Sequence, residues 1–169
     1  TKPVVLILGA TGRTGSHLVN LLESESDRLK LRVAIRKPEQ AEQFSKRGIA
    51  TVHLDLDDLS TYEATLQGVQ RLFMVTGYTV DMMNQGKNLT DAAKDAGVEH
   101  IVHVGTFHQP GRPQSKLIRH YIWHQLIETY IEASGIGWTH LHPNAFMQNF
   151  FGAVQDGKLH MFFGQERVG

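Results

Sequence analysis

Three glycines near the N-terminus have the spacing of a backbone loop that holds phosphate. Gly9, Gly12 and Gly15 lie in the segment GATGRTG, directly after the apolar run VVLIL and before a segment with helical periodicity. A strand that turns tightly into a helix uses such glycines for the turn, for close approach to a diphosphate, and for packing of the helix on the strand. The free amides and positive dipole end of that helix attract the same anion. The loop also carries hydroxyl and guanidinium donors, at Thr11, Arg13 and Thr14. Together these features predict a dinucleotide site.

The end of the second apolar run favours NADP(H) as the dinucleotide. A site that prefers NAD places an acidic side chain there to bind the ribose 2′-hydroxyl, whereas an NADP site places arginine there to pair with the 2′-phosphate. The chain reads RVAIRKP, so Arg36 and Lys37 occupy this position and no acid does. We expect both to bind the 2′-phosphate, with Arg13 closing on it from the glycine loop. The alternative is that Arg36 and Lys37 are ordinary solvated charges at a strand end.

Histidines are concentrated in the second half of the chain, where eight of the ten lie from His100 onward. His120 and His124 are four residues apart on a predicted helix, as in a zinc pair, but a zinc-hydrolase motif would add a glutamate beside the first histidine and a third ligand elsewhere. Residue 121 is tyrosine, so we predict no metal site. We expect His103 to be a packed, hydrogen-bonded core residue. His124 is expected to orient a cofactor or donate a proton, and the alternative is a half-buried histidine that only packs.

The composition excludes several classes of partner. The 169 residues include 17 lysines and arginines and 17 aspartates and glutamates, without a basic block, so the chain lacks the electrostatic footprint of a nucleic-acid or anionic-membrane binder. No segment approaches the roughly 18 consecutive apolar residues of a membrane span, and we expect no secretion signal. The absence of cysteine excludes disulfides and thiolate chemistry. We expect a soluble, cytoplasmic protein with a small-molecule substrate and without nucleic-acid or membrane partners, and a homo-oligomer stays open.

Short β-branched runs alternate with longer amphipathic stretches along the whole chain. This alternation predicts an α/β fold, a Rossmann-type doubly wound parallel sheet with flanking helices, formed as one domain over residues 1–169. The predicted strands are 4–8, 31–35, 51–54, 72–75, 101–104 and 138–141. The predicted helices are 14–23, 38–46, 59–66, 79–96, 116–134 and 144–155. Residues 105–114, with two prolines and two glycines, are expected to form a mobile loop at the ligand-binding edge of the sheet. The alternative for this loop is a surface connection without a functional role.

Four segments together resemble the NmrA-like family of atypical short-chain dehydrogenases/reductases. They are GATGRTG at Gly9, AIRKP around Arg36, HLDLDD from His53 and SGIGWTHLHPNAFMQNF from Ser134. The resemblance runs through the whole chain, and the family includes quinone reductases and a triphenylmethane-dye reductase. From the adenine to the nicotinamide and substrate end, the resemblance implies cofactor contacts at Asp55 and Leu56, Thr76 and Gly77, Thr106, and Pro143, Asn144 and Phe146.

The chain departs from the wider superfamily in two ways. Ordinary members carry a tyrosine and a lysine four residues apart on the helix after the fifth strand, where the tyrosine donates a proton and the lysine lowers its pKa. Here His120 falls at the tyrosine position, His124 at the lysine position, and Tyr121 is turned by about 100° around the helix. Thr106 and His124 are therefore the catalytic candidates. Family members also continue into a small C-terminal lobe over the substrate, and we expect this lobe to be absent or truncated in residues 1–169.

Two functions from different classes fit these features. The first is a reductase that passes a hydride from NADPH to a small flat acceptor such as a quinone or an aromatic dye, because such acceptors delocalise the charge and need little proton donation. The second is a regulatory module that senses NADP(H) without turnover, which the missing tyrosine and lysine also favour. A sugar-nucleotide epimerase is the weaker alternative, since that chemistry depends on the tyrosine.

Overall fold

The structure is a computed structural model that describes residues 1–107, 119–144, 146–150, 154–155 and 158–159. Six strands, β1 to β6, form one sheet, and a short β7 and β8 form a second. The strands are β1 (Val4–Ile7), β2 (Lys30–Ile35), β3 (Ala50–His53), β4 (Arg71–Met74), β5 (His100–Val104), β6 (Gly137–Leu141), β7 (Val154–Gln155) and β8 (Lys158–Leu159). The α-helices are α1 (Arg13–Glu23), α2 (Ala41–Ser45), α3 (Tyr62–Leu66), α4 (Met82–Asp95) and α5 (Arg119–Ala133). Single 3-10 turns cover Pro38–Gln40, Leu59–Thr61 and Met147–Phe150.

The large sheet is entirely parallel and has the strand order β3-β2-β1-β4-β5-β6. This is the order of a doubly wound Rossmann sheet, so the predicted fold class is confirmed. The connection reverses direction between β1 and β4, and ligands of such sheets bind outside the carboxyl ends of the strands at this switch point. The topology therefore places the glycine loop after β1 at the expected binding edge.

Both faces of the sheet are buried, which explains why its central strands are continuous apolar runs. Neighbouring residues on β1 point to opposite faces, and Leu6 and Ile7 are both fully buried. Leu6 belongs to the core that also contains Leu89 of α4 and Ile131 of α5. Ile7 belongs to the core on the other face, with Val19 of α1. Helices thus pack on both faces of the sheet.

The predicted helix over residues 144–155 is wrong. Among the described residues of this range, Met147–Phe150 forms a 3-10 turn, and Val154–Gln155 is a strand that pairs antiparallel with Lys158–Leu159. The sequence between these two strands is Asp-Gly, one of the dipeptides most favourable for a two-residue hairpin, and Val154 is β-branched. Local hairpin pairing therefore prevails over the helical spacing of the phenylalanines.

The predicted loop over residues 105–114 is described only in its first three residues, which have no regular structure. Residues 108–114 lie outside the described residues, and so does the beginning of the predicted fifth helix. In the described ranges, no helix is both long enough and apolar enough to cross a membrane.

Candidate functional site

A cleft of about 330 Å³ opens at the carboxyl ends of β1 to β4. We call it the switch-point cleft. The predicted cofactor residues that line it are Gly9, Thr11, Arg36, Asp55, Leu56, Thr76 and Gly77. These residues come from four separate loops, and the parallel sheet brings the loops together at one edge. The predicted cofactor residues at the ends of β1, β2, β3 and β4 therefore lie on one surface.

The glycine loop is a tight turn that leads directly into α1. Gly9 has a φ of 66°, and its Cα lies so close to the Val75 side chain that a Cβ would be 2.7 Å from Val75 Cγ2. The Gly12 amide donates to the Gly9 carbonyl over 2.8 Å. A Cβ on Gly15 would overlap the same Gly9 carbonyl, so this glycine is required by the turn itself.

The N-terminus of α1 is suited to an anion. Gly12 is its N-cap residue and has no side chain with which to cap the helix, and the first turn contains no acidic residue. The amides of the first helical turn have no acceptor within their own helix. Open amides and the helix dipole favour a phosphate at this point.

Gln40 ties the end of β2 to the glycine loop. Its side-chain Oε1 accepts hydrogen bonds from the backbone amides of Arg36 and Lys37, over 3.2 and 3.0 Å. Its Nε2 donates a long hydrogen bond of 3.4 Å to Thr11 Oγ1. Arg36 and Lys37 are both exposed, and Arg36 lines the switch-point cleft. Gln40 is not recognisable from the sequence, because a glutamine inside a short helix-forming segment carries no motif.

Side chains of the following segment fix the backbone of Asp55 and Leu56. The Tyr62 hydroxyl donates to the Leu56 carbonyl over 2.8 Å, and the Thr61 hydroxyl donates to the Asp55 carbonyl over 3.1 Å. Burial raises the pKa of Tyr62 to about 12, and the nearby carboxylates of Asp57 and Asp55 act in the same direction. The loop after β3 is thus held in one conformation at the cleft wall.

Two buried polar atoms in the cleft wall have no hydrogen-bond partner within the described part of the chain. They are Thr76 Oγ1 and Gln85 Oε1. The other end of the Gln85 amide donates to Asp57 Oδ1 over 2.7 Å, which fixes its orientation. Buried polar atoms are rarely left unpaired in native proteins, so these two atoms favour a polar ligand in the cleft. The open helix end and the cationic strand end point to the same kind of ligand, and the residues present therefore fit a phosphorylated dinucleotide.

The remaining predicted cofactor residues do not line the switch-point cleft. They are Gly12, Arg13, Thr14, Gly15, Lys37, Thr106, His124, Pro143, Asn144 and Phe146. Thr106 and Pro143 nevertheless lie on adjacent segments, because the β5–β6 ladder continues past the strands: the Phe107 amide donates to the Pro143 carbonyl over 3.0 Å. Asn144 and Phe146 are exposed beyond the end of β6. Their roles at the nicotinamide end stay predictions.

His124 is buried on the inner face of α5, with 5% of its surface exposed. Burial, together with the smaller electrostatic effects of His120 and His142, lowers the pKa of His124 to about 4. His120 is only half-buried, and its ring lies 4.4 Å from that of Tyr78, measured between centroids. Together with Trp123 these two residues line a separate pocket of about 300 Å³. His120, one helical turn from His124, is therefore the histidine of the pair that a ligand in this pocket can contact.

His103 differs from its prediction in one respect. It is fully buried on β5, as expected, but neither ring nitrogen has a hydrogen-bond partner among the described residues. Burial lowers its pKa to about 3, with His124, His140 and His142 contributing in that order. The core position is therefore confirmed and the predicted hydrogen bonding is wrong, since the ring instead lies 5.5 Å from the rings of both His124 and His140, measured between centroids.

Three more side chains lie around His103, and with it they form what we call the β5–β6 histidine cluster: His103, Glu128, His140 and His142. His140 is opposite His103 in the parallel register, and Glu128 Oε1 lies 3.9 Å from His103 Nδ1 and 3.0 Å from His142 Nε2. A Cβ on Gly105 would overlap Glu128 Oε1, so this glycine makes room for the carboxylate. Sequence analysis missed Glu128, although its spacing of four from His124 places it on the same helix face.

Comparisons with known proteins agree with this architecture. The family model of the NmrA-like family matches residues 1–162. The NAD(P)H azoreductase of Xenophilus azovorans is 31% identical over 170 residues, a match that covers 98% of this chain and 57% of the relative. The chain thus spans a little more than half the length of this curated relative.

Solved structures give the same result. The NADPH-dependent quinone oxidoreductase of Escherichia coli, complexed with NADPH, superimposes with a TM-score of 0.78 at 26% identity, covering 88% of this chain and 52% of that one. The Citrobacter sp. triphenylmethane reductase, complexed with NADP(H), has a TM-score of 0.77 at 23% identity over 87% and 51% of the two chains, which shows likeness of fold alone. From the match over residues 1–162 and the azoreductase identity, the chain belongs to the NmrA-like family.

Proposed function

We propose that the protein binds NADP(H) in the switch-point cleft and reduces a small flat acceptor such as a quinone or an aromatic dye. The observation that carries the proposal is the pairing of an uncapped α1 N-terminus with a cationic β2 end that holds no acid. Relatives support the reaction class, since they include an azoreductase and a quinone oxidoreductase complexed with NADPH.

Different residues of the cleft bind different parts of the nucleotide. The open amides at the start of α1 bind the diphosphate, and Arg36 binds the 2′-phosphate together with Lys37 and Arg13. Asp55 and Leu56 form the wall for the adenine, where the Tyr62 hydroxyl holds the Leu56 carbonyl in place. Thr76 and Gly77 line the same cleft after β4, toward the middle of the sheet.

NADPH, when bound, supplies the hydride, and the protein supplies binding and orientation. Thr106 and Pro143, beyond the ends of β5 and β6, face the expected nicotinamide end in this proposal. His124 is buried and neutral at pH 7, so it contributes orientation rather than an extra proton. A quinone or dye can be reduced without a proton from His124, because its ring system delocalises the negative charge that the hydride brings.

The test follows the absorbance of NADPH with a panel of quinones and azo or triphenylmethane dyes. We expect oxidation above the background rate in the unaltered protein and loss of this activity in Gly12→Val, because a branched side chain at the helix start blocks the approach of the diphosphate. His17→Val puts the same branched side chain at an exposed position of α1, so it is the control and should retain activity. Tight NADPH binding without turnover of any acceptor would contradict the reductase and favour the sensing module.

A further inference from the structure

We propose that His103, Glu128 and His140 bind one divalent transition-metal ion, with zinc(II) as the best match. The three side chains come from β5, α5 and β6, and each offers one ligand atom. These atoms all lie within 4.8 Å of one another. The site lies between the sheet and α5, and it is separate from the switch-point cleft.

The burial of the three residues is the first support for a site of this kind. His103 is 0% exposed and Glu128 is 4% exposed, and the His140 side chain is 4% exposed. His103 has no hydrogen-bond partner for either ring nitrogen in the described ranges. A fully buried imidazole with two unpaired nitrogens is costly unless something binds it, and a metal ion is such a partner.

The position of Glu128 is the second support. Its carboxylate lies over Gly105, at a point where any side chain on that residue would overlap Oε1. It is 3.9 Å from His103 Nδ1, so the carboxylate and the unpaired imidazole already face each other. A carboxylate among imidazoles supplies the negative charge that a buried divalent cation needs.

The types of ligand atom favour zinc over calcium and magnesium. Two imidazole nitrogens and one carboxylate oxygen match the three protein ligands of an open zinc site, which keeps a fourth position for water. Calcium and magnesium prefer ligand sets made of oxygen alone. Zinc–nitrogen bonds of about 2.0 Å place tetrahedral ligand atoms about 3.3 Å apart. The ligand atoms of the three side chains would therefore move about an ångström closer to one another when the ion binds.

His142 contacts the proposed ligand Glu128 from the more exposed side of the site. Its Nε2 is 3.0 Å from Glu128 Oε1, and 35% of its side chain is exposed. A histidine in this position orients a metal-bound carboxylate, as outer partners do in known sites.

The experiment uses the whole protein, freed of metal with a chelator, in the absence of nucleotide. Zinc chloride is titrated by calorimetry, and cobalt(II) is added separately to record its visible absorption. We expect one zinc ion per chain, a raised melting temperature, and the intense absorption that cobalt(II) shows in tetrahedral sites. Because no nucleotide is present, the result is independent of the proposed reductase function.

Variants locate the ion. Glu128→Gln and His140→Gln should each weaken zinc binding by at least about tenfold, since each removes one ligand. His17→Gln, on the exposed side of α1, should bind zinc as the unaltered protein does. Circular dichroism checks that the variants fold, and if neither does, the stoichiometry and cobalt spectrum of the unaltered protein decide. The proposal is overturned by absence of stoichiometric zinc binding, by an octahedral cobalt spectrum, by full affinity in both ligand variants, or by loss of binding in His17→Gln.

Discussion

Gln40 Nε2 donates a hydrogen bond to Thr11 Oγ1, which joins the end of β2 directly to the glycine loop. The same side chain accepts from the amides of Arg36 and Lys37. One glutamine thus sets the distance between the two places where phosphate groups are expected to bind. The nucleotide site depends on this spacing as well as on the charges themselves.

Replacement of Gln40 with alanine should therefore weaken NADPH binding without unfolding the protein. The exposed amides of Arg36 and Lys37 lose the acceptor that holds them in position, and ordering this segment on binding should cost about 1 kcal/mol, which corresponds to a rise in Kd of about fivefold. Gln43→Ala, an exposed glutamine on the adjoining helix α2, is the matched control. Equal affinities of the two variants in a calorimetric titration would show that Gln40 does not organise the site.

Gly15→Ala should destabilise the protein, although alanine is the better helix former by about 1 kcal/mol. The added Cβ would overlap the Gly9 carbonyl, so the turn or the start of α1 must shift. We expect the free energy of unfolding to fall by about 1 to 3 kcal/mol in urea denaturation. His17→Ala leaves the same methyl side chain at an exposed position of α1 and should leave stability nearly unchanged. A Gly15→Ala protein as stable as the unaltered one would remove the steric role of this glycine.

The raised pKa of Tyr62 predicts that the protein loses stability at alkaline pH. Its pKa is raised to about 12 in the folded protein, chiefly by burial, against an ordinary value near 10. Above pH 10 the unfolded chain loses this proton first, so the contribution is complete below about pH 10 and is lost as the pH rises through about 12. Tyr62→Phe should flatten this part of the stability curve.

The same variant also tests the hydrogen bond from the Tyr62 hydroxyl to the Leu56 carbonyl. Its loss should lower stability at neutral pH by about 1 kcal/mol. Tyr78→Phe is the control, because Tyr78 is 75% exposed. An unchanged alkaline limb in Tyr62→Phe, measured by denaturation at a series of pH values, would contradict the assignment.

The sequence predicts the sheet well and the C-terminal part poorly, for physical reasons. Each predicted strand of the large sheet agrees with the structure to within one residue at either end. For the central strands β1 and β4 the reason is that strands buried on both faces are continuous apolar runs. The helix predicted over residues 144–155 fails, because periodic phenylalanines resemble a helical face, whereas Val154–Gln155 pairs antiparallel with Lys158–Leu159. The second and third helices are shorter than predicted, since each begins with a 3-10 turn.

The candidate site was predictable where it depends on backbone and not where it depends on side chains from distant segments. A glycine loop and a strand end are read from neighbouring residues, so Gly9 and Arg36 could be placed before the fold was known. The contacts of Gln40 with Thr11 and of Gln85 with Asp57 join residues 29 and 28 positions apart. The contact of Glu128 with His103 likewise depends on how α5 packs on the sheet, which no short motif reports.

The most direct test of the account measures NADPH and NADH binding by calorimetry in the unaltered protein and in Arg36→Asp. Arg28→Asp, the same charge reversal at an exposed residue beyond the end of α1, is the control. We predict that the unaltered protein prefers NADPH, and that Arg36→Asp loses most of its NADPH affinity while its NADH affinity changes little. Equal losses for both nucleotides, or no preference for NADPH in the unaltered protein, would contradict the assignment of Arg36 to the 2′-phosphate.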